Sequence, residues 1–82
     1  MKLDLIERDR IAAHCEDALP YEVVEYQLVV THILDSSVRK VKSGLVYQLA
    51  DGRDVHWVNS ALFQIVETGK LIQRTDVKEN RL

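Results

Sequence analysis

Cysteine occurs once in this sequence, at position 15, so no disulfide can form within the chain. A chain of 82 residues allows one domain with one modest core, and such a domain buries only about 60% of the surface its unfolded form exposes. Small domains commonly lean on disulfides, a metal or a partner subunit. With the first excluded, a homodimer is one expected state. A lone thiol also suits a reducing compartment, and the start Met1-Lys2-Leu3-Asp4-Leu5 lacks the apolar segment of a secretory signal. Cytoplasm is therefore the expected location. No apolar run exceeds three residues, Leu28-Val29-Val30 being one, far short of the roughly 20 that cross a bilayer as a helix. Proline also occurs once, and with three glycines there is neither a low-complexity run nor an internal repeat. The remainder, 46% hydrophobic and 29% charged, is the make-up of an ordinary globular domain.

The net charge of −2 hides an uneven distribution. Residues 1–35 carry three basic and eight acidic side chains, whereas residues 36–82 carry eight basic and five acidic. Such asymmetry marks either a polar contact surface or an acidic element offsetting a basic one within one fold.

From about Leu5 to Leu19 the apolar positions Ile11, Ala12, Cys15, Ala18 and Leu19 follow helical spacing, with Asp9, Arg10, His14, Glu16 and Asp17 on the other side. Asp4 can cap this helix with Glu7 as its capping-box partner, and Pro20 ends it. Arg8 sits awkwardly near the stripe, and Leu3 and Leu5 alternate as a short strand would. After Pro20 a β-prone stretch runs from Glu22 to Leu34, with Val24, Tyr26, Leu28, Val30, His32 and Leu34 on one face. Its other face adds Val23, Val29 and Ile33, so its latter half is apolar on both sides. Asp35-Ser36-Ser37 supplies turn chemistry. The basic segment Val38 to Gly44 follows, its glycine marking a bulge or bend.

Asp51-Gly52 and Thr68-Gly69 each separate two short apolar-rich segments, which reads as two successive hairpins. A three-residue first loop with Gly52 in the left-handed region pairs Tyr47 with Val55 and Gln48 with Asp54. It also pairs Leu45 with Trp57 and Val46 with His56. The expected core face is then Leu45, Tyr47, Val55 and Trp57, packed beneath the helix. Asn59-Ser60 turns the chain, and Leu62–Val66 pairs with Leu71–Gln73 in a register left open. The predicted class is α+β: an N-terminal helix on an antiparallel sheet of about five strands. Its layout also suits a small SH3-like or Sm-like barrel. Residues 1–74 form the domain, and residues 75–82 a flexible tail.

Chemistry-bearing motifs are sparse. His14 and Cys15 as helix neighbours point about 100° apart and make no dyad. Three scattered histidines and one cysteine lack the spacing of a metal site, so no metal or cofactor is expected. The serines lie in turn contexts without a nucleophile elbow or phosphate cradle, and no catalytic residue is assigned. The leading expectation is a non-catalytic module that binds another protein through the basic segment Arg39, Lys40 and Lys42 and the acidic helix face Asp9, Glu16 and Asp17. The alternative is nucleic-acid binding through Arg39, Lys40, Lys42, Lys70 and Arg74. A pI near 5.8 weighs against it.

Overall fold

A computed structural model describes residues 1–75. They form six strands: β1 (Lys2–His14), β2 (Pro20–Leu34), β3 (Ser37–Leu49), β4 (Asp54–Trp57), β5 (Leu62–Ile65) and β6 (Leu71–Arg74). Each pairs antiparallel with the next, and β6 returns to β1 through Ala13↔Arg74 and His14↔Gln73, closing a barrel.

The predicted N-terminal helix is absent, and with it the α+β class: the described chain is all-β. Residues read as a helix instead pair along β2 from Lys2↔Thr31 to His14↔Pro20. Ile11, Ala13 and Cys15, alternate residues, are all buried at 4% exposure or less, so a period of two prevailed over the helical spacing. Helix propensity is a weak prior that long-range pairing overrides. Glu7 caps nothing; both its carboxylate oxygens accept from the Arg10 guanidinium, at 3.0 and 3.1 Å. In a regular strand residues three apart face opposite ways. Here an extra residue at Arg8, between the pairs Glu7↔Tyr26 and Asp9↔Glu25, brings Glu7 and Arg10 to one side.

The hairpins fold by their turn residues. Gly52 has φ 95°, its N–H donates to the Leu49 carbonyl at 2.8 Å, and Tyr47↔Val55 and Gln48↔Asp54 pair as expected. β3 and β4 then part, so the expected Leu45–Trp57 and Val46–His56 pairs do not form and Trp57 is 53% exposed. Tyr47 instead meets Phe63, with ring centroids 5.3 Å apart. Asn59 Oδ1 accepts from the N–H groups of Ala61 and Leu62 at 2.8 and 3.0 Å. The register left open resolves as Phe63↔Ile72 between β5 and β6. Of the expected tail, Thr75 is held, its N–H donating to the Ala12 carbonyl at 2.8 Å; residues 76–82 lie outside the described residues.

The core occupies one end. Ile11, Ala13, Cys15, Val23, Leu49, Val55, Phe63, Ile65 and Ile72 form a single cluster inside the barrel. β1 to β3 continue past it as a three-stranded arm, and the molecule measures 54 × 33 × 16 Å. Its radius of gyration is 15.9 Å, against about 12 Å for a compact domain of this length. Where the arm leaves the barrel both outer strands carry an extra residue. One is Arg8 in β1; the other lies at Ser43-Gly44 in β3, between Gln27↔Leu45 and Val29↔Lys42. Gly44 has φ 121° there, a conformation that only glycine adopts readily.

Candidate functional site

Residues opposite one another in an antiparallel pair share a face, so the registers sort the arm's side chains into two sets. On the face continuous with the barrel interior, three rows cross the sheet: Lys2–Thr31–Lys40, Asp4–Val29–Lys42 and Ile6–Gln27–Leu45. Thr31, between two lysines, is the only buried polar side chain among the described residues. The extra residue in β1 turns Arg8 to the same side. Together Asp4, Ile6, Arg8, Gln27, Val29, Lys40 and Lys42 line an open groove of about 540 Å³.

The groove has an apolar floor at Val29 and Ile6, a wall of Lys40 and Lys42, and a facing wall where Asp4 alternates with Arg8. Among the described residues no ion pair engages Arg8, Lys40 or Lys42, so their charge is available to a ligand. Gln27 Nε2 donates to the Gly44 carbonyl at 2.9 Å and the Leu28 carbonyl at 3.1 Å, which ties the groove's centre to the bulge of β3. At the barrel end the Tyr47 hydroxyl donates to Glu25 Oε2 at 2.9 Å. Burial, and then the neighbouring Glu25 carboxylate, push the Tyr47 pKa up to about 12, with Arg74 and Arg8 acting the other way.

The expected basic patch is divided. Lys40 and Lys42 share the groove, Arg39 pairs with His32 and faces the opposite way, and Lys70 lies at the barrel end beside Cys15, Glu16 and Asp17. Arg74 ends β6, where its N–H donates to the Ala61 carbonyl at 2.9 Å. The acidic helix face does not exist. Asp9 sits in β1, where it accepts from the Arg10 N–H at 2.8 Å, while Glu16 and Asp17 occupy the β1–β2 turn. Asp17 accepts a hydrogen bond from the buried Cys15 thiol, which holds its carboxyl below the usual range. Arg8, Asp4, Ile6 and Gln27 carry no binding role in the sequence reading, where Asp4 is a helix cap; in the structure Asp4 lies in β1, pairs with Val29 and caps nothing. The available signal was Arg8 itself, misplaced in a helical stripe but placed naturally once Leu3 and Leu5 are read as a strand.

Neither histidine nor cysteine lines the groove. Among the described residues no three His, Cys, Asp or Glu side chains gather as a metal site, and no helix is long and apolar enough to cross a membrane. The chain matches no family model, no curated protein and no solved structure.

Proposed function

We propose that this protein is a non-catalytic binding module that holds an extended, acidic segment of another protein in the arm's groove. The observation that carries the reading is the convergence of Arg8, Lys40 and Lys42, none in an ion pair among the described residues, over the apolar floor of Val29 and Ile6. An extended peptide alternates its side chains, so one laid along the groove sets apolar residues on the floor and carboxylates against the walls. Asp4 disfavours a uniformly acidic ligand and selects one of mixed character. The free Cys15 thiol fits a cytoplasmic setting.

The test is fluorescence anisotropy with an alternating Glu/Leu peptide and its Lys/Leu counterpart as probes. The acidic probe binds, its affinity falls as salt rises, and Lys40→Glu with Lys42→Glu abolishes binding while Lys70→Glu leaves it intact. Equal affinity for both probes, or indifference to the double reversal, rejects the reading.

A second reading is single-stranded nucleic acid, favoured by the same three cations. An oligonucleotide that binds more tightly than the acidic peptide, with a steep salt dependence, transfers the assignment.

A further inference from the structure

The arm's other face is more apolar than the groove. Cross-strand rows there run Leu3–Val30–Val41 and, toward the barrel, Glu7–Tyr26–Val46, with Leu5–Leu28 between them. No described residue covers this platform: Leu3 is 59%, Leu5 43% and Val41 42% exposed. An antiparallel sheet ordinarily keeps one face in water and packs the other, and here the face patterned for packing is bare.

We infer that a second copy of this chain covers the platform, two arms stacking face to face about a two-fold axis into a six-stranded sandwich. Size is the first argument. Three strands about 4.8 Å apart, each about eight residues long, give a platform of about 14 by 26 Å. Two such faces have a projected area of about 730 Å², and the relief of their side chains raises the accessible surface removed to on the order of 1,000 Å², the size of a weak but specific interface.

Charge is the second. The platform's base carries Glu7, Arg10 and Glu22, with Arg10 bonded to both carboxylates at 2.7 to 3.1 Å and one negative charge in excess. Its tip carries Arg39. A two-fold axis lying between the sheets and oblique to the strands lays tip over base and carries each Arg39, on β3, over the Glu7 and Glu22 side of the other copy's base. Stacking through the groove faces would instead bring Lys2, Arg8, Lys40 and Lys42 of each copy together against a single groove carboxylate each, Asp4. Edge pairing of two β3 strands would crowd Arg39, Lys40 and Lys42 together, and the extra residue at Arg8 interrupts the free edge of β1. The platform is the one surface of the arm that is both apolar and self-complementary. It leaves both grooves facing outward.

Sedimentation of the full chain across a concentration series tests this. A monomer–dimer equilibrium is expected. Leu5→Lys and Val41→Lys each raise the dissociation constant at least about tenfold, while Ile33→Lys, an equal charge at a 70% exposed position on the groove face, leaves it unchanged. Circular dichroism checks that all three variants fold. A monomer at every concentration overturns the inference, as does a dimer weakened by Ile33→Lys or indifferent to both platform variants. A monomer that binds a hydrophobic dye only after removal of residues 76–82 also overturns it, assigning the cover to the chain's own end. None of these outcomes alters the expected binding of the acidic probe to the groove.

Discussion

Changing isoleucine to valine removes one methylene wherever it is made, so its cost reports how far that group is buried and how tightly its surroundings pack. Ile65 and Ile72 are each 1% exposed in the barrel, while Ile6 and Ile33 on the arm are 53% and 70% exposed. In a packed core the change costs about 0.5–1.5 kcal/mol. For Ile6, which keeps roughly half its surface in water, the transfer value of about 0.8 kcal/mol per methylene falls to about 0.4 kcal/mol, and for Ile33 to about 0.2 kcal/mol. Against a total stability of about 4–12 kcal/mol for a chain of this length, the barrel changes are readily measured. Each kcal/mol moves the melting temperature by about 4–8 °C. Urea denaturation followed by circular dichroism gives all four values. Both arm positions lie on the groove face, so association through the platform leaves the comparison intact. If Ile6→Val costs as much as Ile65→Val, the arm is packed in solution and the picture of a barrel-centred core is wrong.

Ala18 holds φ 66° in the β1–β2 turn, a left-handed conformation that costs a residue with a Cβ about 1–2 kcal/mol. Ala18→Gly is therefore expected to stabilise by up to about 1 kcal/mol after glycine's own entropy cost, and a lower melting temperature would contradict this. Gly44→Ala meets open space but keeps φ 121°, so it destabilises by about 1–3 kcal/mol through strain alone; a neutral result in denaturation shows that the bulge relaxes. The Tyr47 phenol, raised from 10.0 to about 12, contributes stability that is fully present below pH 10 and lost as pH climbs toward 12, because the unfolded state ionises first. Ultraviolet titration should show a late tyrosine phase that Tyr47→Phe removes, whereas a single phase near pH 10 counts against the burial of this phenol and then its Glu25 contact. Cys15, 3% exposed and bonded to Asp17, should react with a thiol reagent only on unfolding; rapid modification of the native protein contradicts its burial.

Features set by local chemistry were legible in the sequence. Gly52 and Gly69 take positive φ in their hairpins, Asn59 folds its own turn, and Gly44 marks a bulge, each because the residue type suits the conformation regardless of what lies far away. β1 was not legible because two periods coincide in it. Ile11 and Cys15 satisfy both a helix and a strand, and the Glu7–Arg10 spacing matches a helical pair while serving a bulged strand. Only pairing with β2, a long-range event, decides between them. The same ambiguity hid half of the groove. Lys40 and Lys42 could be placed on one face by alternation, and alternation likewise removes Arg39, but their partners Asp4, Ile6 and Arg8 belonged to the misread element. Trp57 was misplaced for a related reason: turn chemistry sets where a hairpin begins, not how far its strands stay together.

The paired extra residues at Arg8 and at Ser43-Gly44 make both flanking strands longer than the central one at nearly the same level. Unequal contour lengths in a bonded ribbon produce curvature, much as a longer outer layer bends a laminate, so the angle at which the arm departs is written into covalent residue count. Deleting Arg8 would straighten one margin without reversing which way Leu3 and Leu5 point, because the pairs on either side would simply close up. Single-residue gains and losses at this level therefore change the relative lengths of the margins while the pairs on either side keep their partners.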